Sequence, residues 1–472
     1  MALVHGPPSP RPPSLPPPIG STLSTRNLEA SLVLLAALVR RGLTDLVLCP
    51  GSRSGALAEA AGVLERHGLV LRTAVDERSA AFFALGLARA TGRAVAVVTT
   101  SGTAVANLLP AVVEADYGAI PLLLITADRP DRLKGCGANQ TVNQECFLAA
   151  NVRWLGQADG AGLGQMQDGA IVELASTALA ATQAPGQAPG PVHLNLAFDE
   201  PLHADGPTLL EVAESQVAVA QIQEPLVTAA SISPEATPSV GEVLMPDLDQ
   251  AGVVVAGPWR GLPQHWDGHV AALVRLQRRT GWPVLADGLS GLRGWPGLQV
   301  VHGYDILLAE GHGFPAAPQL LRLGSMPASR RLQQWITASG GPQLLISEGD
   351  PRNLDATGTA SQQLSDGLAS WLAGLPDPLR SGSVSASNQV WLDQWVKADQ
   401  WLQHQLDRQL IADQPFAAAS SQCSEPALAR ALSRCLPAGE PLMLASSSPV
   451  RDWESFAAAD ASHRPVDRKS VV

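Results

Sequence analysis

Four short stretches of the chain hold side chains able to do chemistry, and each opens where an apolar or β-branched run gives way to polar residues. In "CPGSRSG" (49–55) Gly51 permits a tight turn, Ser52 and Ser54 can cap a following helix, and Arg53 is left to point outward. In "TTSGTAVAN" (99–107) Ser101, Gly102 and Thr103 open a helix whose free N–H groups favour an anion. The loop "TADRPDRLKGCGANQ" (126–140) crowds Asp128, Arg129, Asn139 and Gln140 together. The fourth stretch, "DERS" (76–79), runs straight into "SAAFFALGLA", which is apolar on all sides. Asp76 can cap that helix and Glu77 suits its positive end. A carboxyl at the mouth of so apolar a segment is partly desolvated, which poises it to share a proton with a ligand nitrogen. Taken singly, each loop reads equally well as a capped turn or a solvated surface loop.

The elements that must carry these loops follow from periodicity. "DLVLCP" (45–50), "AVAVVTT" (94–100), "IPLLLITAD" (120–128) and "PVHLNL" (191–196) read as buried strands, separated by helices such as "LEASLVLLAALVRRG" and "GTAVANLLPAVVEA". Continuous apolar strands alternating with helices predict a doubly wound parallel sheet covered on both faces, with ligands at the carboxyl ends of the strands. Residues 205–248 lack steady periodicity and read as a linker. A second alternating block spans 249–385, with "GVVVAG", "WPVLADG", "QLLRLG" and "PQLLISEGD" as strands. A third begins near 386 with a long helix, then "EPALARALSRCLP" and the single strand "PLMLASSS". The fold class is therefore α/β, with successive parallel-sheet domains and an incomplete third. The first 20 residues read as a disordered proline-rich leader.

Composition excludes several classes. A net charge of −11 argues against a nucleic-acid footprint, which needs a clustered basic surface. No apolar run reaches the roughly 18 residues of a membrane span. The five cysteines are dispersed without C-x-x-C spacing, which fits a reduced, cytoplasmic setting with packing rather than chemistry as their role. No G-x-G-x-x-G follows a strand, which argues against a dinucleotide-binding oxidoreductase.

Six motifs in order carry a family resemblance: "PGSRS", "DERSAAFFALGLARATGR", "TSGTAVANLLPAVVEA", "PLLLITADRP", "GCGANQ" and "GPVHLNLAFDEPL". Together they resemble the 2-succinyl-5-enolpyruvyl-6-hydroxy-3-cyclohexene-1-carboxylate synthase (MenD) family of thiamine-diphosphate enzymes, over about residues 26–466. The resemblance implies a pyrimidine-binding domain at 21–204, a central domain at 249–385, and the start of a diphosphate-binding domain at 386–466. It implies thiamine diphosphate and Mg2+ as cofactors. The implied reaction is transfer of decarboxylated 2-oxoglutarate to isochorismate with loss of CO2, in menaquinone and phylloquinone biosynthesis. Glu77 matches the catalytic glutamate that holds the cofactor's aminopyrimidine nitrogen and activates it by sharing a proton. Ser101, Gly102 and Thr103 fall to cofactor binding with it. Ser52, Arg53, Arg129, Asn139 and Gln140 match substrate-binding positions, as do Arg330, Arg331, Ser447 and Arg451. Isochorismate and 2-oxoglutarate are dianions, and guanidinium forks bind carboxylates bidentately. Arg330 stands where the family usually has Lys, and "ASSSPVRD" replaces its usual Gly-Asn-Ser-Leu opening.

Family active sites lie between subunits, so the resemblance also implies a homodimer or homotetramer. After "SHRPV" the family continues with a Gly-Asp to Asn motif that binds Mg2+, and no metal ligand can be assigned here. The closing "DRKSVV" (467–472) resembles a translation of sequencing-adapter text, GAT CGG AAG AGC GTC GTG. The expectation is a C-terminally truncated, inactive copy with a non-native tail. The alternatives are another thiamine-diphosphate decarboxylase or synthase, such as an acetolactate synthase, and a non-catalytic fragment that keeps the fold.

Overall fold

The computed structural model describes residues 22–204, 206, 207, 209, 212, 245–309, 314–376, 382–410, 424–437, 439–459 and 464–468. The leader at 1–20, most of the 205–248 linker, Cys423 and residues 469–472 lie outside the described residues.

The first half runs α1 (Leu23–Arg40), β1 (Asp45–Leu48), α2 (Gly55–Glu65), β2 (Val70–Thr73), α3 (Glu77–Thr91), β3 (Val95–Thr99), α4 (Thr103–Ala106) and α5 (Leu109–Gly118). It continues through β4 (Leu122–Asp128), α6 (Glu145–Leu148), β5 (Trp154–Gln157), α7 (Asp168–Ala181) and β6 (Pro191–Ala197). Its six strands form one all-parallel sheet in the order β2-β1-β3-β4-β6-β5. Strand periodicity sends alternate side chains to opposite faces. Leu46, Ala96 and Val98 pack with α1 and α2 on one side, while Val47, Val95 and Val97 pack with α3 and α5 on the other. Each fully buried leucine in these layers contributes about 1.5–3 kcal/mol by removal from water. The chain order reverses between β1 and β3, so their carboxyl ends open the crevice where such sheets bind ligands. Gly51 fits there because any Cβ would sit 2.3 Å from the Thr100 Cβ.

Several elements here differ from expectation. The edge strands β2 and β5 carry half-polar text, "VLRT" and "WLGQ", that periodicity does not mark. The helix expected over "GTAVANLLPAVVEA" breaks at Asn107–Leu108, because Pro110 enters the first turn of α5 and cannot donate to a preceding turn. Helix α7 was not anticipated.

The second block comprises β7 (Val253–Ala256), α8 (Trp266–Thr280), β8 (Val284–Ala286), β9 (Val300–Val301), α9 (Tyr304–Leu307), β10 (Leu320–Leu323), α10 (Arg330–Ala338), β11 (Gln343–Ile346), β12 (Gln362–Leu364) and α11 (Leu368–Gly374). Its six strands are again all parallel, ordered β12-β11-β10-β7-β8-β9. The following helix, α12 (Ala386–Leu410), lays Trp395, Leu402 and Leu406 onto this sheet with Val253, Val255 and Leu285. Then come α13 (Glu425–Cys435), β13 (Pro441–Leu444), α14 (Ser448–Phe456) and β14 (Arg464–Arg468). The sequence marks one strand in this last part, yet β14 pairs in parallel with β13 and takes in Asp467 and Arg468 of the presumed tail. Its text, "RPVDR", has too little apolar content to be marked as a strand.

The two sheets meet at the carboxyl end of α5. Arg352 donates to the Asp116 and Tyr117 main-chain oxygens at 2.8 and 3.3 Å, and Arg260 donates to Tyr117 O at 3.0 Å. The last carbonyls of a helix have no partner inside it and carry its negative end, so guanidinium groups are natural caps.

Candidate active site

Glu77 is the first residue of α3, placed there by Asp76, whose Oδ1 accepts the Ser79 N–H at 2.8 Å and caps the helix as expected. That bond, before the weaker influence of Arg78, holds the Asp76 carboxyl below its ordinary range. Asn107 donates to Glu77 Oε2 at 3.2 Å, which ties α3 to the loop after β3. Cys49 at the end of β1 is fully buried. Its thiol is pushed up to about 12, first by burial and then by the carboxylates of Glu77 and Asp76. Glu77 therefore stands over the carboxyl ends of β1, β2 and β3. The helix behind it is not buried on all sides. Ala80, Ala81, Ala84, Leu85 and Ala88 face the sheet, while Phe82 and Phe83 are 40% and 48% exposed and Val75 is 88% exposed. Small residues take the packed face because helix and sheet approach closely, and the bulky aromatics are left on the surface of the single chain.

Arg53 corrects another expectation. It does not point outward but is 8% exposed, donating to Phe198 O at 3.0 Å and to Glu200 Oε1 at 2.9 Å. Its Nε is buried with no partner. Neither serine beside it caps α2 with its side chain. Ser54 occupies the cap position, but its Oγ donates to Gly51 O at 3.0 Å, and the exposed Ser52 Oγ lies 3.4 Å from His203 Nε2.

Arg129 is also buried and donates to Ser101 Oγ and, at 2.8 Å, to Gln140 O. Burial, and then the positive charge of Arg53, hold its pKa below the ordinary arginine value against the pull of Asp128 and Glu200. Two guanidiniums thus share one poorly solvated region, an arrangement that favours an anion between or beside them. Ser101 and Gly102 are buried in the turn after β3, whereas Thr103, Asn139 and Gln140 are exposed. Gln140 and Gly102 lie against each other, since a Cβ on Gly102 would come 3.3 Å from Gln140 Cγ. Ser52, Arg53, Glu77, Ser101, Gly102, Thr103, Arg129, Asn139 and Gln140 therefore all lie in loops or helix starts at one end of the first sheet.

The remaining candidates form a second group. Arg330, Arg331 and Arg451 line one cleft of about 380 Å3 between α10 and α14. Asp305 orders it, accepting from Arg331 at 2.8 Å, Ser329 Oγ at 2.6 Å and Ser455 Oγ at 3.0 Å. Glu454 also lines the cleft, buried and accepting from the Tyr304 hydroxyl. Burial, and next the charge of Asp287, push its carboxyl well above the ordinary range. Sequence reasoning missed this acid, though its setting between Trp453 and Phe456 is an apolar signal. Ser447 is exposed, adopts φ of 78°, and makes no side-chain cap to α14. Among the described residues no hydrogen bond or ion pair joins this group to the first.

A carboxylate over a glycine-walled crevice, bonded to a single amide and otherwise open, suits an aminopyrimidine with a ring nitrogen that needs a proton shared. The first group fits that end of thiamine diphosphate. Among the described residues no set of three or more His, Cys, Asp or Glu side chains could hold a metal ion.

Comparison with known proteins agrees. Residues 28–148 match the family described as thiamine pyrophosphate enzyme, N-terminal TPP binding domain, and residues 224–444 match the middle domain of thiamine pyrophosphate enzymes. The class is that of the thiamine-diphosphate enzymes. A protein of Synechococcus sp. (strain RCC307) is 53% identical over 443 residues, covering 94% of this chain and 72% of its own length. One from Synechococcus sp. (strain CC9311) is 50% identical over 91% of this chain and 73% of its own. One from Prochlorococcus marinus (strain MIT 9313) is 46% identical over 88% and 71%. All three are named 2-succinyl-5-enolpyruvyl-6-hydroxy-3-cyclohexene-1-carboxylate synthase. This chain belongs to that synthase family.

Proposed function

We propose that the protein is the transferase its relatives are named for, joining decarboxylated 2-oxoglutarate to isochorismate and releasing CO2 on the way to menaquinone or phylloquinone. Thiamine diphosphate is the cofactor, with Mg2+ as in this enzyme class generally, and it supplies the nucleophilic carbon and the electron sink. The observation that carries the reading is the pair of buried guanidiniums, Arg53 and Arg129, in the same set of loops as Glu77. Enzymes that handle pyruvate alone have less need of two such cations.

In this reading Glu77 shares a proton with the pyrimidine nitrogen, and Asn107, bonded to its Oε2, orients the carboxyl group. Arg53 and Arg129 orient substrate carboxylates, and their desolvation strengthens that grip. Arg330, Arg331 and Arg451 form a second anion-binding wall on a separate cleft. A homo-oligomer in which one subunit's second wall faces another's first would complete the site from both halves. No helix among the described residues is long and apolar enough to cross a membrane, and a cytoplasmic enzyme is the setting proposed.

The test is Glu77→Gln in the full-length protein. Thiamine-diphosphate affinity by calorimetry should stay within about tenfold of the parent, while turnover falls by roughly a hundredfold or more, because an amide cannot share the proton. Turnover near the parent value would remove Glu77 from the chemistry.

A further inference from the structure

Gln144 is fully buried four residues beyond Gln140, and none of the motifs above gives it a role. Its Oε1 accepts the Gly102 N–H at 2.9 Å. Its Nε2 donates to Ala127 O at 3.0 Å and to Asn195 Oδ1 at 2.7 Å. Oxygen toward one donor and nitrogen toward two acceptors leave the amide a single orientation. The contacts reach three separate elements: the turn after β3, the end of β4 and the middle of β6.

What this amide holds is a turn that glycine alone adopts readily. Gly102 has φ of 82° and ψ of −134°, a conformation that L side chains rarely adopt, and its N–H is buried. Without an acceptor that N–H would forfeit its hydrogen bond, so the turn needs a partner from elsewhere. The partner side is itself braced. Asn195 accepts from Thr126 Oγ1 at 2.9 Å and donates to Asp128 Oδ2 at 2.9 Å, while Asp128 Oδ1 accepts the Arg129 N–H at 2.8 Å. A continuous buried chain of hydrogen bonds therefore runs from the Gly102 turn through Gln144 and Asn195 to the backbone of Arg129.

We propose that Gln144 is a positioning residue that fixes the spacing between the Ser101–Thr103 turn and the Arg129 loop, and so between the groups assigned to cofactor and to substrate. The proposal rests on the functional reading for its kinetic consequence but not for its structural one. Gln144→Met keeps side-chain length and burial and removes every polar atom. Gln144→Glu keeps an oxygen toward Gly102 but, with at most one O–H, cannot serve both acceptors on β4 and β6.

Hydrogen exchange on the full chain without cofactor reads the structural part. The segment 100–106 should exchange faster in Gln144→Met and near the parent rate in Gln144→Glu, with circular dichroism confirming that both are folded. Steady-state kinetics on the holoenzyme reads the rest. KM for isochorismate should rise roughly tenfold to a hundredfold in Gln144→Met, because small misplacements of binding groups are costly. A purely structural role would lower the melting temperature and speed exchange at 100–106 but leave KM unchanged. Exchange at the parent rate together with KM within about twofold would overturn the proposal. If Gln144→Met does not fold, Gln144→Glu decides alone: a raised KM supports it and an unchanged KM sinks it. If Arg53 and Arg129 variants keep parent kinetics while Gln144→Met still speeds exchange, the functional reading fails and the positioning role stands.

Discussion

Arg129 donates to the main-chain oxygen of Gln140 at 2.8 Å, a bond that spans 11 residues and folds the loop after β4 back onto its own first cation. The same guanidinium reaches Ser101 in the turn after β3. One side chain thus presents charge to the crevice and pins two of its walls, and substitution there should reveal both roles.

Arg53→Ala and Arg129→Ala are expected to lose about 1.5–3 kcal/mol of substrate binding each, one charge-assisted contact apiece, or roughly tenfold to a hundredfold in kcat/KM. Thiamine-diphosphate affinity should change less in Arg53→Ala than in Arg129→Ala, because only Arg129 touches the Ser101 turn. Steady-state kinetics with isochorismate and 2-oxoglutarate, alongside calorimetry, separate the two. Unchanged kinetics in both variants would return the arginines to a structural role.

His193 predicts an acid-labile step in stability. It is fully buried in β6, with Nε2 2.8 Å from Thr126 Oγ1 and Nδ1 lacking a partner, and burial lowers its pKa from the ordinary 6.5 to about 4. Below pH 6.5 the unfolded chain binds the proton and the folded chain does not, so stability falls as pH drops. The loss approaches about 3 kcal/mol near pH 4, where the folded form titrates too. His302, also held below its ordinary value chiefly by burial, acts in the same direction. Urea midpoints measured from pH 7.5 to 4.5 should show this slope, and His193→Gln should flatten part of it. An identical slope in that variant would mean that His193 is already charged or solvated in the fold.

Thiol labelling should be sharply uneven. Cys136, Cys146 and Cys435 are exposed and free, whereas Cys49 is buried with its thiol pushed up to about 12. The thiolate is the reactive form, so Cys49 should resist a maleimide at pH 7.5 until the protein unfolds. Mass spectrometry of native and denatured samples checks this, and native labelling of Cys49 at the rate of Cys136 would contradict the burial.

The central strands β1, β3, β4 and β6 were legible because buried parallel strands are continuously apolar. The edge strands β2 and β5 were not, since an edge needs only half of that pattern. Glu77, Arg53 and Arg129 could be marked as candidates from loop chemistry, but the direction of Arg53 could not be read, because its acceptors are 145 and 147 residues away. Gln144 escaped for the same reason. Its acceptor role depends on Gly102, 42 residues earlier, and no local pattern encodes that distance. Asp305 and Glu454 likewise acquire meaning only when α9, α10 and α14 come together.

The clasp between the two sheets is unequal in what it asks of heredity. Arg260 and Arg352 contribute side chains, but Tyr117 answers both with a main-chain oxygen that every amino acid possesses. The Tyr117 ring itself is 52% exposed. Codon 117 can therefore drift widely without loosening the junction, whereas changes at codons 260 and 352 remove guanidiniums that lysine's single ammonium does not reproduce. A saturation library scored for thermal stability should show this imbalance directly, with a permissive accepting side and two intolerant donors.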